Sequence, residues 1–306
     1  MSASSSLSSS SSYGPSSASM PTEHDYEVEF TPRAFTMAYS PAAGWHKPQL
    51  LPLEQFALHP GTAGLHNGQI AIEGLRAYRR IDSTIAAFRP WEHARRFRAS
   101  ARRAAMPALP DDLFVSAIDE LVEADAGSLD EAPGSSLYLR SLMFAADLSL
   151  GQGSSRHYGF VLMAQSASRV AEHNSTDPLD GPSVFLVRAT RPRAEVILLA
   201  PEDSASPGVL AESVLTLASR LGYIVRQQRA TLDERGKGSR QGATETFTCS
   251  TLGGVVPLGE GDSQSERQGE PGPVTDAIRR ALLDIQSGRE PGPRGWMYQI
   301  PSADTS

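Results

Sequence analysis

Apolar residues fall at helical spacing in three stretches of the chain. In residues 111–125, Phe114, Ile118 and Leu121 share one face of an otherwise acidic segment, which predicts an amphipathic helix. In residues 208–221, Leu210, Val214, Leu217 and Leu221 form a stripe, with Gly222 after it as a C-cap. Residues 274–286 present Ile278, Leu282 and Ile285 in the same way, and residues 91–105 read as a basic helix stopped by Pro107. Between these lie strand patterns. Residues 78–88 read as a hairpin turning at Asp82 and Ser83, and residues 137–144 and 158–164 as strands. The short apolar runs 184–187 and 195–199 suit buried strands, residues 244–256 are strand-rich, and residues 259–273 form a polar loop. No internal repeat is visible. The whole reads as mixed α+β in two halves.

Polar stretches set the expected boundaries. Residues 1–25 are a serine-rich tail of almost no apolar content, expected to be disordered, with the ordered region opening near Tyr26. Residues 165–183 are polar, hold two prolines and lack periodicity, so they read as a linker. This gives a small N-terminal α+β domain over 26–164 and a shorter C-terminal domain over 184–300. The tail lacks the basic start and apolar stretch of a secretory signal, and its first basic residue is Arg33, too late for a mitochondrial presequence. Its serine content leaves a plastid-type transit peptide open; the expectation is a cytoplasmic protein.

Composition narrows the chemistry. With 40% hydrophobic and 21% charged residues over 306 positions, the chain has material for two cores. A net charge of −7 argues against a general nucleic-acid or anionic-membrane partner. No apolar run approaches the roughly eighteen residues of a membrane span. The single Cys249 excludes an internal disulfide or cysteine metal cluster, and the seven histidines are scattered, so no metal site is expected. Among 28 basic residues only Lys47 and Lys237 are lysines. Any mechanism that needs an amine has two candidates.

One segment carries a specific likeness. Residues 65–78, Leu-His-Asn-Gly-Gln-Ile-Ala-Ile-Glu-Gly-Leu-Arg-Ala-Tyr, closely resemble the LHYGQxxFEGLKAYR signature of branched-chain aminotransferases. The likeness continues through Phe88-Arg89-Pro90, His93-Ala94-Arg95-Arg96, Leu137-Tyr138-Leu139-Arg140, Ser206-Pro207-Gly208, Thr244-Glu245-Thr246-Phe247 and Gly295-Trp296-Met297, in family order. The resemblance implies a class IV (fold type IV) pyridoxal-phosphate enzyme: a two-domain α+β fold, dimeric, with the cofactor between the domains as a Schiff base to a lysine. In the family that lysine lies in a RAxPGGTGxAKxGGNY segment after the linker, and a glutamate facing the pyridine nitrogen comes later, in an EEVGTMN-like segment. Here the chain runs from the linker directly into Gly181-Pro182-Ser183-Val184, which matches the family stretch just beyond that glutamate. Several tens of residues are missing, the lysine and the glutamate with them, so the C-terminal domain is expected to be shortened. Lys47 and Lys237 match family segments with no catalytic part.

The same resemblance assigns what remains. Arg96 stands where the family pairs with the cofactor phosphate, a task suited to a fork of donors; the plainer reading is a solvated arginine among Arg95, Arg98, Arg102 and Arg103. Thr251 stands at a second phosphate support, while the family's GIT turn has become Gly208-Val209-Leu210 and lost its hydroxyl. Tyr138 and Arg140 stand where the family contacts the substrate carboxylate, and their spacing of two puts both on one sheet face. Strand packing with a structural ion pair is the alternative. Asn67 and Ile72 replace a tyrosine and a phenylalanine of the substrate pocket. Glu73, Gly74 and His66 read as structural, and Cys249 as a buried apolar residue.

The sequence thus points to an aminotransferase-like protein without the Schiff-base lysine and without pyridoxal phosphate as its working cofactor. It is expected to bind a small-molecule carboxylate or phosphate in the old cleft and to host a cofactor-independent isomerisation, cyclisation or elimination there. Rival readings are a non-catalytic subunit in a heterodimer with an intact paralogue, a truncated gene product, and an ordinary transaminase. Either a homodimer or that heterodimer is expected.

Overall fold

The computed structural model describes residues 30–151, 153–166, 183–190, 192–201, 207–230, 242–259 and 269–301. The serine-rich tail, most of the expected linker and Lys237 lie outside the described residues. Two sheets organise the rest. The first is seven-stranded and contains β1 (Phe30–Ser40), β2 (Gly44–Pro52), β3 (Ile70–Arg79), β4 (Ile85–Phe88), β5 (Ser136–Ala145), β6 (Tyr158–Ser166) and β12 (Met297–Gln299), in the order β12-β4-β3-β5-β6-β1-β2. The second is five-stranded, built from β7 (Ser183–Arg188), β8 (Glu195–Pro201), β9 (Ile224–Ala230), β10 (Glu245–Ser250) and β11 (Gly254–Pro257), in the order β11-β10-β7-β8-β9. Five helices accompany them among the described residues: α1 (Ala63–Asn67), α2 (Pro90–Arg103), α3 (Asp111–Ala124), α4 (Val209–Arg220) and α5 (Pro273–Ser287).

Local chemistry explains the ends of these elements. The β3–β4 hairpin turns at Ser83, whose φ is 65°, and the carboxylate of Asp82 accepts from the backbone N–H of Thr84 at 3.1 Å. Pro90 opens α2, where its missing N–H has no intrahelical partner to lose. Asp111 and Asp112 sit in the first turn of α3, where the helix dipole favours negative charge. Glu245 accepts from the N–H groups of Val274 and Thr275 at 3.0 and 2.7 Å, so a strand carboxylate caps α5.

The predicted faces pack as expected, with one exception. Phe114, Ile118 and Leu121 are buried with Phe97 and Phe160 between the helices α2 and α3 and the first sheet. Leu210, Val214, Leu217, Ile278, Leu282 and Ile285 are buried against the second sheet. Leu221 is not: it caps α4 and stands 44% exposed. The stripe ends a turn early because Gly222, at φ 88°, turns the chain into β9.

Other departures are larger. Gln165, Ser166 and Ser183, expected in the linker, belong to β6 and β7. The last strand, β12, falls within the expected C-terminal domain but pairs with β4 in the first sheet. The core of the second sheet takes in Tyr78 and Phe88 from β3 and β4, so the two layers share a hydrophobic seam. No helix among the described residues is long and apolar enough to cross a membrane.

Candidate functional site

Strands β3 and β5 pair antiparallel along their whole length, with Gly74 opposite Arg140 and Arg76 opposite Tyr138. Directly opposed residues share a face, so Gly74, Arg76, Tyr138 and Arg140 lie together on the side away from α2 and α3. Tyr138 is buried and packs on Leu252, which belongs to the turn 251–253 between β10 and β11 of the second sheet. The guanidinium of Arg140 stands 5.7 Å from the centroid of the Tyr138 ring, and its Nη1 donates to the Tyr138 hydroxyl at 3.3 Å. The pair sets a guanidinium beside a phenol, the group types that hold a carboxylate.

The first sheet makes room for that ring. A Cβ on Gly74 would meet the Tyr138 hydroxyl and lie 2.9 and 3.0 Å from its Cζ and Cε2, so the glycine leaves room for the tip of the phenol over β3. Arg76, next on the same face, donates from Nη2 to the backbone carbonyl of Leu252. Its other neighbour is Tyr78. Burial pushes the Tyr78 hydroxyl above its ordinary pKa, and the Arg76 charge and hydrogen bond oppose that shift.

The other face of β3 carries Glu73, buried beneath α2. Its Oε1 lies 2.8 Å from Nδ1 of His93 and its Oε2 3.7 Å from Nε of Arg96. Arg96 also donates from Nη1 to the carbonyl of Pro207 at 3.0 Å, just before Gly208, the N-cap of α4. Arg96 is thus neither a free surface cation nor grouped with Tyr138: it joins α2, β3 and the entry to α4. Thr251 is half-buried in the turn whose next residue covers Tyr138. The structure accordingly divides the four candidates. Tyr138, Arg140 and the turn bearing Thr251 meet on one face, while Arg96 works from the helical side.

Other candidates fall where their side-chain chemistry suggests. Cys249 is buried in the second core, and burial pushes its thiol well above the usual range. Asn67 ends α1 on the surface. Lys47 is exposed on β2, the far edge strand. Three strand steps separate β2 from β5, roughly 14 Å at about 4.8 Å per step. Sequence reasoning missed Arg76, whose partner is a backbone carbonyl 176 positions away.

A covalently held pyridoxal phosphate needs an amine at the site. Arg96 and Thr251 are the sort of donors that suit a phosphate, but the one lysine among the described residues, Lys47, is on the far edge of the sheet. The described residues do not fit such a group.

Comparison with known proteins gives the family. No family model matches the chain. A probable branched-chain-amino-acid aminotransferase of Streptomyces coelicolor is 31% identical, covering 89% of this chain and 91% of that protein. The branched-chain-amino-acid aminotransferase of Mycolicibacterium smegmatis is 27% identical, covering 89% and 90%. The Streptomyces alignment spans 333 positions but uses 89% of 306 residues, about 272, so some sixty positions have no counterpart in this chain. Among solved structures, the branched-chain amino acid aminotransferase of Thermobaculum terrenum in its PLP-form matches with a TM-score of 0.68 at 18% identity, covering 89% of this chain and 99% of that one. The Escherichia coli enzyme matches at 0.66 and 19%, covering 89% and 100%. The fold is that of class IV aminotransferases, and the chain belongs to the branched-chain-amino-acid aminotransferase family.

Proposed function

We propose that this family member binds a small carboxylate-bearing metabolite on the β3–β5 face and that any reaction it catalyses there proceeds without a lysine-bound cofactor. The observation that carries this reading is the Tyr138–Arg140 pair, side by side on one sheet face with the second sheet's turn laid over the ring. Such a fork with a phenol holds a carboxylate by two or three charge-assisted hydrogen bonds. An isomerisation, cyclisation or elimination of an amino-acid-derived acid needs no amine at this place. Another solved branched-chain amino acid aminotransferase, 22% identical, is complexed with 4-methylvaleric acid, which supplies a probe of the right class.

The test is calorimetric titration of the purified protein with 4-methylvalerate and related acids, before and after the substitution Arg140→Met. Loss of a charge-assisted pair typically costs about 2–3 kcal/mol, or roughly 30- to 150-fold in affinity. If no acid binds the wild type, the reading is wrong.

Ordinary transamination is the second reading, favoured by the names of the relatives and by an alignment over most of both chains. Lys237, outside the described residues, would then have to supply the amine. Incubation with pyridoxal phosphate followed by borohydride decides: stoichiometric pyridoxyl label on one lysine establishes the transaminase, and its absence supports the first reading.

A further inference from the structure

The 251–253 turn of the second sheet lies over the Tyr138 ring, and the side chain of Arg76 hydrogen-bonds to it. Its Nη2 donates to the carbonyl of Leu252, the residue that lies on Tyr138. Its guanidinium also runs beside Tyr78, whose ring belongs to the core shared by the two sheets. Nε of Arg76 is buried with no hydrogen-bond partner among the described residues. A buried guanidinium donor without an acceptor is costly, and a site that accepts that cost is using the rest of the group. The turn closes the β10–β11 hairpin, with Ser250 paired to Gly254 at φ 68° and Gly253 N–H donating to Ser250 Oγ at 2.9 Å.

We propose that Arg76 is a positioning residue: it pins the 251–253 turn across the sheet seam, so that a carboxylate held by Tyr138 and Arg140 is enclosed by the second sheet. The arginine does not itself take the ligand. It sets how often the turn lifts away, and therefore how fast a bound acid escapes. The effect on affinity rests on the carboxylate reading above; the pinning of the turn does not. Arginine suits the task because its planar fork can keep one N–H on the carbonyl while the rest of the guanidinium lies beside the Tyr78 phenol. Lysine at the same position can still reach a carbonyl with one donor.

Hydrogen exchange measured by mass spectrometry on the full chain separates the two claims. In Arg76→Met, amides of residues 250–254 should exchange about tenfold faster than in wild type, while those of α3 keep their protection. Arg76→Lys should recover most of the slow exchange. With 4-methylvalerate as the probe, Arg76→Met should dissociate about tenfold faster with little change in association, whereas Arg140→Met should weaken binding without loosening the turn. Unchanged exchange at 250–254 in Arg76→Met overturns the inference, and so does faster exchange spread over α3 as well, which would mark a general loss of stability. If the turn loosens as expected but the wild type binds no acid, the pinning stands and the carboxylate reading falls.

Discussion

The ring of Tyr138 occupies the space that a β-carbon on Gly74 would need, with Cζ 2.9 Å from that position. The glycine is therefore tied to the placement of its diagonal cross-strand neighbour, Tyr138, rather than to a turn. Gly74→Ala is expected to push the phenol off β3 and away from Arg140. Overpacking of this kind typically costs about 1–3 kcal/mol. Thermal denaturation should show that loss, and calorimetry should show weaker carboxylate binding. An unchanged melting temperature would mean that the ring can yield freely.

Arg96 is held between Glu73 and the carbonyl of Pro207. Removing the guanidinium leaves a buried carboxylate with His93 as its remaining close partner at this end. Arg96→Ala is expected to lower stability by about 1–3 kcal/mol, the cost of under-satisfying a buried polar group. Arg95→Ala, on the exposed face, should cost under about 0.5 kcal/mol. Urea denaturation of both variants checks the contrast, and equal losses would return Arg96 to the solvated face.

Much of this was legible in the sequence where burial is one-sided. The stripe of α3 and the stripe of α5 identified both helices, and the spacing of Tyr138 and Arg140 put them on one strand face. β1 and β2 escaped notice because Pro32, Pro48 and Pro52 interrupt them and neither alternates strictly; long-range pairing with β6 makes β1 a strand. β9 is mostly exposed and carries the polar run Arg226-Gln227-Gln228-Arg229, as suits an edge, and it is a strand because it lies parallel to β8 after the α4 crossover. β12 has three residues, too few for any period to show. Within the site, Tyr138 and Arg140 came from a local motif. The Arg76–Leu252 contact is between residues far apart in sequence and ends on a carbonyl, which no side-chain pattern reveals.

Asp119 makes stability depend on pH. Its Oδ2 accepts from the Tyr298 hydroxyl at 2.9 Å, tying β12 to α3, while Oδ1 is buried without a hydrogen-bond partner among the described residues. Burial, with smaller contributions from the charges of Glu123 and Glu120, raises its pKa to about 6, against the opposing hydrogen bond from Tyr298. The folded state thus holds this proton more tightly than the unfolded state, whose carboxyl titrates near 3.8. Stability from this group is full below about pH 4 and falls as pH rises through 6. Asp119→Asn should flatten the melting-temperature profile between pH 4 and 7 and raise it above pH 6. A profile identical to wild type would show that Asp119 is not its source.

Arg89 joins the first sheet to α4, and its removal should cost more than any change above. The residue sits between β4 and α2 at φ 49°, its N–H donating to the carbonyl of Trp296 at 2.6 Å. The buried side chain donates from Nη1 to Val209 O at 3.2 Å and to Ser213 Oγ at 2.8 Å, and from Nη2 to Glu212 at 3.4 Å. It also lies over the Trp296 ring, 5.3 Å from the centroid. In Arg89→Met, Ser213 keeps its own bond to Val209 O, which leaves that carbonyl satisfied, so the damage falls mainly on the contact with Glu212 and on the cation–π contact. Together these should cost about 2–4 kcal/mol. Lysine cannot reproduce two divergent donors from one point charge, so Arg89→Lys should recover less than half of the loss. Because Phe88 and Trp296 pack edge to face in the shared core, the loss should appear as one earlier transition in both tryptophan fluorescence and far-ultraviolet dichroism. Two separated transitions would instead mean that the sheets unfold independently and that Arg89 stabilises only the seam between them.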